Sequence, residues 1–239
     1  MPARPLAPEP TGPPTVWGSI RSTPSAVLLV VQLAGVLLYP FLTDLPIGPW
    51  EGGGRSLLGL FGISVLLLAV WAVRSTPALT RVAVVIGLPV VGLTVLEGFL
   101  PGNLLLIVVS SVLHAVFYFY TAYGLIRYMF NDNWVTRDEL WATGAAFTVL
   151  AWGFAYVYLV VQAASPGSFT AGVDPGADRT FFEMLFLSFT TLSSTGLSDI
   201  APVQLHARSF VMLEMVAGML YLAMVLGRIV GLTIARQRG

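Results

Sequence analysis

Cysteine is absent from these 239 residues, which removes disulfide frameworks, thiolate metal sites and cysteine nucleophiles together. Lysine is absent as well. All 12 basic residues are arginine, and none lies in a polybasic run of the kind that binds nucleic acid. Charge of either sign is scarce, at 10% of the chain against roughly a quarter in a soluble domain, and it cancels to a net charge of zero. No Ser-His-Asp, HExxH or paired-carboxylate constellation is present, which argues against an enzyme. What is plentiful is apolar surface: 56% of the residues are hydrophobic, the balance of an all-α protein embedded in a lipid bilayer.

The first 24 residues carry seven prolines and few apolar clusters, so segment 1–24 reads as a disordered tail that cannot offset its ordering entropy. It lacks the charged-then-apolar layout of a signal peptide. Six apolar runs follow, near 25–43, 56–74, 80–98, 103–129, 139–163 and 207–235, each close to the roughly 20 residues that a helix needs to cross hydrocarbon. Gly and Pro punctuate the breaks, as at Pro46-Ile47-Gly48-Pro49, Pro101-Gly102 and Pro166-Gly167. With the N-terminus inside, nine arginines (Arg4, Arg21, Arg74, Arg81, Arg127, Arg137, Arg228, Arg236 and Arg238) fall on the cytoplasmic side. Only Arg55, Arg179 and Arg208 face out. Both termini are therefore expected in the cytoplasm.

The connection 164–206 starts and ends outside, and it contains a stretch crowded with hydroxyls, Ser188 to Pro202. Ahead of it, Thr180 and Glu183 stand at capping-box spacing. A short helix over 180–193 is predicted, too short to span, with the negative end of its dipole aimed at Ser193-Ser194. Irregular backbone at membrane depth is tolerated only inside protein or facing a water-filled cavity. The expectation is a re-entrant pore helix and loop between helices five and six, able to strip water from an ion.

The residues Ser188-Phe189-Thr190-Thr191-Leu192-Ser193-Ser194-Thr195-Gly196-Leu197-Ser198-Asp199-Ile200-Ala201-Pro202 resemble the selectivity filter of the tetrameric potassium-channel superfamily, which typically reads S-x-x-T-x-T-T-V-G-Y-G-D. Met215-Val216-Ala217-Gly218 resembles the inner pore helix of the bacterial members, with Gly218 placed 19 residues after Asp199. The resemblance covers roughly 139–239 and implies a pore module: an outer helix, a filter at 194–199 and an inner helix at 207–235. It implies that Ser194 takes the threonine position of the innermost ion site, and that Thr195, Gly196 and Leu197 offer carbonyls to a cation. Ser198 takes the second-glycine position and Asp199 rings the outer mouth. Gly218 is implied as a gating hinge, and Met219, Leu222 and Leu226 as lining of the inner cavity. A single pore loop cannot enclose an ion, so a homotetramer in the bilayer is expected, conducting a monovalent cation such as potassium with no cofactor. An Ala/Gly/Val/Arg-rich composition without lysine suggests a high-GC bacterium, hence the plasma (inner) membrane.

Two departures bear on ion preference. Leu197 replaces the family's tyrosine, and Ser198 replaces a glycine that sits at positive φ, where a β-carbon costs roughly 1 kcal/mol. A non-conducting membrane subunit with a decayed filter and a secondary transporter are the rival readings. The first would rest on these two changes; the second lacks a matching interrupted segment in the first half. The four helices within 25–130 carry no voltage-sensing arginine series, since span four holds only Arg127 at its end. His114 reads as a hydrogen-bonded core histidine, and Glu97 as solvated beside an exterior turn. Glu214, one turn before Gly218, reads either as a modulatory carboxyl or as one bonded to pore-helix hydroxyls such as Ser188 or Thr191.

Overall fold

The computed structural model describes residues 23–43, 65, 71, 77–100, 102–130 and 136–238. The second apolar run, 56–74, and residues 1–22 of the expected tail lie almost wholly outside them. Pro24 already opens helix α1 (Pro24–Thr43), where its missing N–H and fixed φ suit a first helical position. Next come α2 (Pro77–Phe99), α3 (Leu104–Met129), α4 (Arg137–Ala164), a two-residue strand β1 (Phe169–Thr170), α5 (Phe181–Leu192), β2 (Ala201–Pro202) and α6 (Leu205–Arg238). Among the described residues, four helices are long and apolar enough to cross a membrane, over Pro24–Phe41, Leu104–Met129, Arg137–Ala164 and Leu205–Arg228. The third run forms α2.

Local chemistry sets the helix starts. Asn103 accepts the Leu106 amide at 3.1 Å, just after Gly102 turns the chain at φ 84°. Thr136 accepts the Glu139 amide at 3.2 Å, and Asp138 and Glu139 place negative charge on the first turn of α4. The core lies along α3 and α4, where Phe117, Tyr118, Trp152 and Tyr158 are buried and Phe119 meets Phe154 edge to face at 5.0 Å.

The expected grouping 25–130 begins with α1, which hydrogen-bonds to α4 of the 139–239 segment. The Ser25 amide and hydroxyl both donate to the Asp138 carboxylate at 3.0 Å, and Thr148 Oγ1 donates to Gln32 Oε1 at 2.6 Å. Tyr39 then stacks on Phe182 of α5 at 4.3 Å. Asp138→Ala removes both acceptors from buried Ser25, so the solubilised protein should lose about 1–3 kcal/mol of stability in thermal or denaturant unfolding. An unchanged midpoint would mean that this contact does not anchor α1.

α6 is apolar nearly all round, but in a single chain it buries one narrow stripe: Val211, Glu214, Gly218, Tyr221 and Val225, spaced three and four apart. That stripe faces α4 and α5. Lower down, the Tyr221 hydroxyl donates to Thr143 O at 2.5 Å, and Arg228 pairs with Glu139 at 3.3 Å while lying over the Phe130 ring. Leu213, Val216, Met219, Leu220 and Leu226 remain exposed.

Candidate pore loop and its supports

The short helix α5 begins as its spacing predicts. Thr180 Oγ1 accepts the Glu183 amide at 3.3 Å, and Glu183 Oε2 accepts the Thr180 amide at 2.7 Å, closing a capping box. The cap is itself held. Gln162 of α4 bonds both backbone groups of Arg179, at 2.8 and 3.0 Å, and the buried Arg179 guanidinium donates to the carbonyls of Val173, Asp174 and Ala177 and to Glu183. Thr180→Ala should cost about 1 kcal/mol, read as a lower unfolding midpoint.

At its other end, α5 does not simply fray. The amides of Thr195 and Gly196 both turn back to Thr190 O, at 3.0 and 3.1 Å, and the Ser194 amide bonds Thr191 O at 3.0 Å. This tight reversal requires left-handed backbone at Ser194 (φ 59°) and Gly196 (φ 65°). A trans peptide aims its carbonyl opposite to its N–H. With the Thr195 and Gly196 amides facing the helix end, the carbonyls of Ser194 and Thr195 point away from it. Among the described residues, no hydrogen bond is accepted by the carbonyls of Ser194, Thr195, Gly196 or Leu197. Ser194, Thr195, Gly196, Leu197 and Asp199 are exposed, Leu197 by 78%.

The strain expected at Ser198 is not there. Positive φ falls on Ser194, four residues earlier, because the turn is closed by the amides that follow it. Ser198 is half-buried, and its hydroxyl accepts the Ile200 amide at 3.0 Å, a local turn that needs no glycine. Beyond Asp199 the chain is pinned by β2, which pairs antiparallel with β1 in the register Phe169↔Pro202 and Thr170↔Ala201. Val203 N also donates to Ser168 O at 2.9 Å, and Gln204 Nε2 to Pro166 O at 3.0 Å. The loop is thus fixed at both ends, with the carbonyls of Ser194 to Leu197 left unpartnered between them.

Gly218 supports the loop from below. A Cβ there would meet the Leu192 carbonyl oxygen first, with the carbonyl carbon at 2.9 Å and Cα at 3.0 Å. The glycine lets inner-helix and pore-helix backbones touch, and α6 runs on as helix through it. Of the expected cavity residues, Met219, Leu222 and Leu226 are exposed by 66%, 37% and 60%.

Glu214 is fully buried, and both carboxyl oxygens have partners: Ser188 Oγ of α5 and the Tyr158 hydroxyl of α4. Sequence reasoning names Ser188. Tyr158 lies 56 residues away and carried no local signal. His114 is buried, with Nδ1 2.8 Å from Ser110 O and Nε2 3.3 Å from Thr94 Oγ1. Its ring stacks on Tyr156 at 4.3 Å, which in turn meets Phe181 at 4.7 Å. Glu97 is half-buried beside Ser110 rather than simply solvated.

The sequence model of a family described as ion channel matches residues 144–234, from the second turn of α4 almost to the end of α6. The matched segment is thus similar to an ion channel domain, and together with the four long apolar helices it supports a membrane protein. No curated protein and no solved structure matches the chain.

Proposed function

We propose that the chain is one subunit of a passive cation channel with a potassium-channel-like pore, built from four copies around one axis. The observation that carries this is the loop after α5. It follows a short capped helix, it is exposed, its carbonyls from Ser194 to Leu197 are unpartnered, and those of Ser194 and Thr195 are turned away from the helix that supports them. Carbonyl oxygens so presented by several copies would replace the water shell of a cation. The negative end of the α5 dipole lies behind them and favours positive charge in front. Ser194, Thr195, Gly196 and Leu197 supply the filter backbone in this reading, Ser198 stiffens its exit, and Asp199 draws cations to the outer mouth.

The single buried stripe of α6 supports assembly. Most of that helix is apolar and uncovered, an arrangement suited to neighbouring copies and to a cavity lined by Met219, Leu222 and Leu226. The location proposed is the bacterial plasma membrane, from the lysine-free, Ala/Gly/Val/Arg-rich composition, with both termini in the cytoplasm on the strength of the arginine distribution. Protein reconstituted in liposomes should pass potassium or thallium down its gradient with no coupled ion. Substituting sodium for potassium reads the selectivity that Leu197 and Ser198 bear on. Vesicles no leakier than protein-free ones would favour the non-conducting subunit instead.

A further inference from the structure

The junction of α4, α5 and α6 contains more hydrogen-bond acceptors than its hydroxyl protons can serve. Ser188 has one O–H, yet its oxygen lies 2.9 Å from Ala151 O and also contacts Glu214 Oε1. The Tyr158 hydroxyl donates to Glu214 Oε2. If Glu214 were a carboxylate, Ser188 would give its proton to the carboxylate, and Ala151 O would face a lone pair. The anion would then be wholly buried with two hydroxyl donors and no cation, a costly arrangement inside a membrane. One added proton removes every conflict. Glu214 donates to Ser188, Ser188 donates to Ala151 O, and Tyr158 donates to the remaining carboxyl oxygen.

Among the described residues, the polar partners of Glu214 are hydroxyls: Tyr158 from α4 and Ser188 from α5, with Thr191 of α5 reaching the Tyr158 hydroxyl. No arginine or histidine is among its described partners. The position matters as much as the chemistry. Ser188 and Leu192 are one turn apart on α5, and Glu214 and Gly218 are one turn apart on α6. Glu214 bonds Ser188, and Gly218 lies against Leu192. These are two rungs between the same two helices, running inward together. A slip of one helical turn would break both.

We propose that Glu214 is a neutral carboxylic acid and a positioning residue, a proton-bearing rung that locks the inner helix in register with the pore helix. The rung holds Leu192, the last residue of α5, and so the start of the loop that follows. This role in conduction rests on the pore reading above; the proton itself does not.

Infrared spectroscopy of the purified full-length protein tests the proton directly. At neutral pH the wild type should show a carboxylic-acid carbonyl band that Glu214→Gln lacks. No band in the wild type, or the same band in the variant, overturns the assignment. Ion flux in liposomes tests the role. Glu214→Ala leaves Tyr158 and Ser188 without their partner and should lower flux about tenfold or more. Glu214→Gln keeps a donor and an acceptor without charge and should restore what Ala loses. Equal loss in assembled Gln and Ala variants overturns the positioning role. Should the alanine variant not assemble, the Gln variant and the band still decide. Should the wild type pass no ions while the band is present, the pore reading fails and the protonated rung stands.

Discussion

Gly218→Ala is expected to stop ion flux and to lower the unfolding midpoint of the solubilised protein. The added carbon meets the backbone of Leu192, which cannot rotate away as a side chain would. Overpacking a tight contact costs about 1–3 kcal/mol, or a midpoint several degrees lower in a chain of this size. The pore helix must shift, and the loop that continues from it shifts too. Gly227→Ala and Gly231→Ala are the controls, since both glycines lie on the same helix with open space around them. Alanine there should be neutral or slightly stabilising, because glycine within a helix costs about 0.5–1 kcal/mol. A hinge needed only for flexibility gives a different pattern: Gly218→Ala would then alter gating while leaving the midpoint unchanged or raised.

Gly196→Ala should also abolish flux, with the opposite stability signature. A Cβ at Gly196 meets nothing within 4 Å, so sterics with neighbours play no part. The cost is conformational. At φ 65° an L-residue is strained by about 1–2 kcal/mol. In the proposed tetramer, four loops adopting the same turn together would multiply this to ~4–8 kcal/mol, enough to empty the competent arrangement. The single subunit keeps its helices, because the turn lies outside them. The expected result is an assembled protein with a nearly unchanged midpoint and no conduction. Retained potassium flux in Gly196→Ala would show that the turn at Thr190 is not the geometry that conducts.

The parts of this account that were legible in the sequence are local ones. Thr180 and Glu183 declare the start of α5 because a capping box depends only on spacing three apart. The placement of Glu214 near Ser188 was readable once both helices were drawn through the same depth. Tyr158 was not, since nothing near it in the chain distinguishes it from any other aromatic on α4. The bond from Ser25 to Asp138 spans 113 residues and is set by how α1 packs, which periodicity does not encode. The family pattern misplaced the strain at Ser198, because the left-handed residues are chosen by which amides close on Thr190 O. Gly218 was visible as a glycine in the right place. Its reason, the close approach to Leu192, depends on the distance between two helices.

The native absence of cysteine provides the most direct test that the exposed loop lines an ion pathway. Leu197→Cys puts a single thiol on the middle of the loop, and Val173→Cys puts one at a comparably exposed site before α5. Both variants should assemble and conduct before labelling. A bulky, membrane-impermeant thiol reagent added to reconstituted protein should then block potassium flux through the Leu197 variant and leave the Val173 variant conducting. Undiminished flux after complete labelling of Leu197→Cys would contradict a conduction path through this loop.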